Sequence, residues 1–211
     1  MTLKYETIVN GPFQENCFLV WDTDTHEGVF IDPGDEAERL MRTASFLNVD
    51  VKGIYNTHGH VDHVGAVAAI KEALGVPFAL HPADGFLLRS LPDQARMFGI
   101  DTGEVPTIDI ELAHDAELAV GGHKARVIHT PGHTPGGVCF AFDEVVFVGD
   151  TLFAGSIGRT DLPGGSLDEL LHAIKERLLC LDGDLRVLSG HGPATSIGLE
   201  RAHNPFLTGR F

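Results

Sequence analysis

The heptapeptide Thr57-His58-Gly59-His60-Val61-Asp62-His63 constrains this chain more than any other stretch. It sets three imidazoles and a carboxylate within six consecutive residues, directly behind the strand-like run Gly53-Ile54-Tyr55-Asn56. Crowding those groups costs desolvation and lone-pair repulsion, which a bound cation offsets. Imidazole nitrogen and carboxylate oxygen are the donors that borderline metals such as zinc accept. A histidine-rich surface loop is the bland alternative, and a lone His-x-His would fit it. His-x-His-x-Asp-His behind an apolar run points instead to a metal.

The rest of the composition sets limits around that cluster. Residues 1–211 carry enough apolar material, 43% of the chain, to read as one globular domain. Thirty acidic residues face only 15 lysines and arginines, a net charge of -15. A nucleic-acid partner needs a basic stripe, and none is visible. No apolar run approaches membrane-spanning length, and Met1 to Glu6 lack the basic-then-apolar pattern of a signal peptide, so a soluble cytoplasmic protein is expected. Cys17, Cys139 and Cys180 are too far apart for a Cys-x-x-Cys pair and odd in number. A reducing compartment follows, with all three thiols expected in core packing because each sits in an apolar run.

Taken in order, residues 3–9, 16–21 and 28–31 read as a strand meander. Asp35 is placed to cap a helix with Ala37, Leu40, Met41, Ala44 and Leu47 on its core face. Residues 51–56 form the strand that delivers the histidine cluster. A helix follows with Val64, Val67, Ile70 and Leu74 on one face, stopped by Gly75 and Pro77. Residues 77–80 give a weak strand, and 82–105 have no readable order beyond a short helix near 85–91. Strands are expected again at 107–112, 116–120, 124–129, 137–142 and 144–148. Ser166-Leu167-Asp168-Glu169 is a capping box opening a helix with Leu167, Leu170, Leu171, Ile174 and Leu178 inward. A last strand at 185–188 precedes a helical segment near 197–202.

The polar residues follow one rule. His58, His133, Asp150 and His191 each come just after a strand-like run, in a turn containing glycine. Strand ends on one edge of a packed scaffold can bring such groups to a single point. Taken singly, Asp150 reads equally as a turn former, and His133 and His191 as loop histidines. Histidines 26, 81, 114, 123, 129, 172 and 203 read as surface or satisfied positions, with His129 the one best placed to support the His133 turn.

In this order, Asp32, His58-x-His60-x-Asp62-His63, His133, Asp150 and His191 resemble the metallo-β-lactamase superfamily, and within it the glyoxalase II-like hydrolases. The resemblance spans nearly the whole chain. It implies an α/β four-layer αββα sandwich, with two mostly antiparallel sheets face to face and helices outside. It also implies two divalent metal ions, zinc foremost, with iron and manganese compatible because N/O donors discriminate poorly among them. On this resemblance His58, His60 and His133 hold one ion, and Asp62, His63 and His191 the other. Asp150 bridges both, and Asp32 braces the ligand loop from behind.

Such a pair of ions supplies hydroxide at neutral pH and stabilises a tetrahedral oxyanion, while Asp62 both ligates and aims the hydroxide. A thioester suits this chemistry, because a thiolate with a pKa near 8.5 leaves without strong acid assistance. The expected substrate is a small thioester derived from glutathione, such as S-D-lactoylglutathione. Arg159, in Gly158-Arg159-Thr160-Asp161, is the candidate contact for its carboxylate or peptide carbonyl, against the bland reading of a surface arginine paired with Asp161. The run 155–165 looks like the short bacterial glyoxalases of type II, without the helical glutathione-binding domain. The alternative on the same motifs is a persulfide dioxygenase holding one iron on His58, His133 and Asp150. The oligomeric state cannot be read from the sequence.

Overall fold

A computed structural model of the chain describes residues 2–99 and 102–209. Strands β1 (Leu3–Asn10), β2 (Glu15–Asp22) and β3 (Glu27–Ile31) form the antiparallel meander. Helix α1 (Ala37–Phe46) crosses over to β4 (Asp50–Tyr55). The broken pair α2 (Val61–Val64) and α3 (Val67–Leu74) crosses to β5 (Phe78–Leu80). A single 3-10 turn (Pro82–Asp84) and helices α4 (Gly85–Arg89) and α5 (Leu91–Phe98) lead to the short β6 (Ile110–Glu111). The second half opens with β7 (Glu117–Val120), β8 (His123–His129), β9 (Val138–Ala141) and β10 (Val145–Gly149). The small hairpin β11 (Leu152–Phe153) and β12 (Ser156–Ile157) follows. Helix α6 (Leu167–Ala173) runs on through a π turn at Ile174–Leu178 to β13 (Arg186–Ser189), β14 (Thr195–Ser196), α7 (Ile197–His203) and α8 (Pro205–Thr208).

Two six-stranded sheets result, in the orders β1-β2-β3-β4-β5-β6 and β14-β13-β10-β9-β8-β7. Side-chain alternation divides the core into three layers. In β2, Cys17, Leu19 and Trp21 face α1, α2 and α3 with Leu40, Val64, Val67 and Ile70. Phe18 and Val20 face the other sheet, against Val127, Phe140 and Phe147. On that sheet's outer side, Ile128, Val146 and Val187 meet Leu170, Ile174 and Leu178. Helices thus cover both outer faces, which gives the expected αββα order and explains why all eight residues of β2 are buried. Each fully buried phenylalanine at 30, 78, 140 and 147 contributes about 2–3 kcal/mol. That is more than a typical net hydrogen bond of about 1 kcal/mol, so the core holds the loops that carry polar groups.

Several expectations need correction. The first sheet is mixed rather than mostly antiparallel, since β3–β4, β4–β5 and β5–β6 are parallel. Helical crossovers between sequential strands require this. Asp35 does not cap α1: its carboxylate accepts only from the next N–H, at 2.6 Å, and Glu36 occupies the cap position in a left-handed conformation. Leu74 and Leu167 lie at helix termini and are 41% and 48% exposed, so the core faces of their helices begin or end one turn inside. Residues 107–112 pair only at Ile110–Glu111. The unreadable stretch 82–105 holds two helices, α4 and α5, while its positions 100 and 101 lie outside the described residues. Cys17 and Cys139 are buried, and burial first of all pushes the Cys139 thiol up to about 12. Cys180, just beyond the π turn, is exposed instead of packed.

Candidate metal centre

Each predicted residue sits where a strand ends. His58 and His60 follow β4, and Asp62 and His63 fall on α2 immediately after. His133 lies in the turn after β8, Asp150 directly after β10, and His191 directly after β13. The β10 end carries an irregularity in its pairing with β13, and Gly149 there has φ +49°. A side chain at Gly149 would run into Thr57, so the bulge that aims Asp150 inward requires glycine. Gly190 is constrained from the site itself, since a Cβ there would lie 2.5 Å from both Asp150 Oδ1 and His63 Cε1.

The structure gathers all seven predicted ligand residues. The donor atoms of His58, His60 and His133 lie within 4.8 Å of one another, and so do those of Asp62, His63 and His191. His60 Nδ1 and His133 Nε2 are 3.0 Å apart. Asp150 stands between the two groups: its carboxylate is 3.8 Å from His133 Nε2 on one side, and 3.5 Å from His63 Nε2 and 3.7 Å from His191 Nε2 on the other. Asp62 Oδ2 is 3.2 Å from His191 Nε2.

Hydrogen bonds behind the rings fix which nitrogen faces inward. Asp32 accepts from the Thr57 N–H and hydroxyl, both at 2.6 Å, and its Oδ2 lies 3.1 Å from His63 Nδ1. That assigns the His63 proton to Nδ1 and leaves Nε2 as a lone pair. The Thr57 hydroxyl donates to Asp32, so it accepts from His58 Nδ1 at 3.0 Å. The Arg159 carbonyl does the same for His133 Nδ1 at 2.7 Å. Three Nε2 lone pairs therefore point into the cluster. His58 Nε2, His63 Nε2 and Asp150 Oδ1 are buried without a hydrogen-bond partner. Buried orphaned acceptors of this kind are costly unless a cation lies among them, so these residues fit a divalent metal.

Electrostatics follow the same pattern. Burial, then the charges of His63 and His133, hold the His58 imidazole well below its usual pKa, and burial with His133 brings His60 to about 3. Both are neutral donors at physiological pH. At His63 burial acts in the same direction, but Asp150, Asp62 and Asp32 outweigh it and raise the group. Burial would raise Asp62, yet His63 and the His191 hydrogen bond hold it below the carboxylate range. The depth of the site grades outward: His63 is fully buried, while His191 and Asp62 side chains are 29% and 19% exposed.

A model of the metallo-β-lactamase superfamily matches residues 10–191. The chain is 41% identical to the hydroxyacylglutathione hydrolase GloC of Haemophilus influenzae, over 99% of this chain and 100% of that protein. The chain belongs to the metallo-β-lactamase superfamily. Two solved relatives of this superfamily share the fold. One, described as the BLEG-1 B3 metallo-β-lactamase, is 38% identical with a TM-score of 0.90, covering 97% of this chain and all of that one. The other, solved in a di-iron-bound form, is 42% identical with a TM-score of 0.88, covering 96% and all of that chain.

Arg159 lies two residues past β12, and its carbonyl faces His133 Nδ1 while its side chain points to Asp161. The guanidinium is exposed and held bidentately by Asp161, at 2.7 and 2.8 Å. This hydrogen bond first of all lowers Asp161 to about 2. His129 reaches the Pro135 carbonyl at 2.9 Å, and so supports the chain beyond His133 rather than His133 itself. Four site residues escaped sequence reasoning. Thr57 was within the motif, but a hydroxyl relay leaves no pattern. Glu15 is buried beside His63, 3.7 Å from Nδ1, and burial raises its pKa well above the carboxylate range. Asn16 donates to the Ser189 and Gly192 carbonyls on either side of His191, at 2.9 and 3.0 Å. Asp84 lies in the stretch that has no periodicity. Among the described residues, no helix is long and apolar enough to cross a membrane.

Proposed function

We propose that this chain is a metal-dependent thioester hydrolase of the glyoxalase II type, cleaving S-D-lactoylglutathione or a close glutathione thioester. The reading rests on the Asp150 carboxylate lying within 3.8 Å of histidines from both donor groups, an arrangement suited to two ions rather than one. The full-length similarity to a hydroxyacylglutathione hydrolase supports that substrate class. In this reading His58, His60 and His133 would hold one divalent ion and Asp62, His63 and His191 the other, with Asp150 available to both. The metal is zinc in the first instance, with iron and manganese compatible.

When held by these residues, divalent ions would supply Lewis acidity, lowering the pKa of water toward neutrality. The protein's part is orientation. Asp62 stays ionised because His63 and His191 hold it below the carboxylate range, so it accepts a hydrogen bond from the attacking water without keeping the proton. The thioester enters from the exposed His191 and Asp62 side, since His58 and His63 are sealed beneath. A thiolate leaves unaided at neutral pH, so no further acid is needed. Arg159, at the rim, meets a carboxylate of the glutathione moiety once Asp161 shares it.

A second reading comes from the relative described as a B3 metallo-β-lactamase, which makes a lactam ring a competing substrate. Purified untagged protein is assayed for bound metal, S-D-lactoylglutathione hydrolysis, nitrocefin hydrolysis and glutathione-persulfide-dependent oxygen uptake. Close to two ions per chain with thioester cleavage dominant is the expected result. One iron per chain with oxygen uptake and no thioester cleavage would replace the hydrolase with a persulfide dioxygenase.

A further inference from the structure

We propose that Asp84 is a positioning residue for the three-histidine half of the site, tying the loop that carries His58 and His60 to the loop that carries His133. The inference rests on the metal-site reading above. Asp84 has no exposed surface. Its Oδ2 accepts from the Gly59 N–H at 3.0 Å and from the Thr134 hydroxyl at 2.8 Å, and its Oδ1 accepts from the Gly136 N–H at 2.6 Å. Gly59 lies between the two histidines of the first loop, and Thr134 follows His133 in the second. The fit is close on both sides. A Cβ on Gly136 would lie 2.6 Å from Asp84 Oδ1, and one on Gly59 would lie 3.3 Å from Asp84 Cβ. One carboxylate thus sets the spacing of two loops whose imidazoles approach to 3.0 Å.

The other half of the site has its own tether. Asn16 donates from its side chain to the Ser189 and Gly192 carbonyls, and from its backbone N–H to Gly190 at 2.7 Å, fixing the His191 turn to β2. Asp84 makes no contact there among its described hydrogen bonds. Loss of Asp84 is therefore selective for one metal position. Asn at 84 keeps the volume but replaces one acceptor with an NH2 donor. Placed toward Gly136 or toward Gly59, that donor faces a backbone N–H, and only the Thr134 hydroxyl can turn to accept. One loop loses its backbone bond either way.

The test is titration of metal-free protein with Zn(II) against a chromophoric chelator, with folding checked by circular dichroism. The binding event abolished in His60→Ala marks the three-histidine half. Asp84→Asn is expected to weaken that event about tenfold or more and to leave the other within about twofold, the range seen when groups behind metal ligands are removed. Thr134→Val, which deletes one bond at constant shape, weakens the same event by a smaller factor and serves if Asp84→Asn does not fold. Asn16→Ala weakens the other event. Equal weakening of both events by Asp84→Asn, or of neither, overturns the proposal while leaving the metal site intact. A wild-type chain that binds no metal removes the metal-site reading itself, and the proposal with it.

Discussion

The five histidines at the strand ends and the stacked pair His81–His129 are two clusters of the same side chain in one molecule. His81 and His129 lie face to face, with ring centroids 4.3 Å apart and planes 6° from parallel. Both have backbone partners: His81 Nδ1 accepts from the Ala83 N–H at 3.2 Å, and His129 Nε2 meets the Pro135 carbonyl. Burial, with His129 adding to it, brings His81 to about 4. In the strand-end cluster the outward Nδ1 atoms of His58, His63 and His133 are bonded, His58 Nε2 and His63 Nε2 face inward without a partner, and two carboxylates lie among them. Proximity and partial burial are common to both. Unpartnered lone pairs converging on one point with anionic company separate a metal site from a packed pair.

The sharpest way to break that comparison is at Asp150. Asp150→Ala is expected to lower kcat/KM for the thioester by about 10³-fold and to reduce bound metal, because both donor groups lose their shared carboxylate. His129→Ala keeps its metal, and a His129 variant that loses metal would erase the distinction. Chelation comes next. An ion present at a thousandfold excess over its Kd adds about 4 kcal/mol, so stripping it lowers Tm by roughly 10 °C, reversibly on re-addition. The same drop is expected in His81→Gln, whose ring is no ligand.

Asp32→Asn sharpens the contrast within the metal cluster. It weakens the acceptor behind His63 and Thr57, and metal affinity measured by chelator competition falls about 10–100-fold. At the rim, Arg159→Ala raises KM about fivefold, and Asp161→Asn lowers it by releasing the guanidinium, small effects because the pair is exposed and solvent-screened. Unchanged KM in both would remove Arg159 from substrate binding. The smallest effect belongs to the stacked pair. The His81 pKa in the folded chain, about 4, lies below the ordinary imidazole value of 6.5. Above pH 6.5 the ring is neutral in both states and costs nothing; as pH falls toward 4 the unfolded chain takes up a proton that the folded chain resists, and stability drops. His81→Gln makes the Tm-against-pH curve of the chain shallower in that window, relative to wild type.

Legibility followed the range of the interactions. The meander, the helix after β4 stopped by Gly75, and the Ser166 cap with its bond to the Glu169 N–H were readable because period, punctuation and capping act within a few residues. The seven candidate ligands were readable because metal donors are chemically rare types placed at strand ends. Leu74 and Leu167 fit the helical period yet face solvent, since a period fixes a face but not where its cover stops.

By itself the sequence determined the two alternations of core and surface, the strand-end positions of the polar groups, and the donor set they offer. Tertiary structure decided the parallel pairing of the first sheet, the nitrogen each histidine turns inward, and the roles of Asp84 and Asn16. Those roles join residues 25 to 176 positions apart through single hydrogen bonds. Such bonds impose no local pattern on the chain; they exist only once the sheets have packed and brought the loops together.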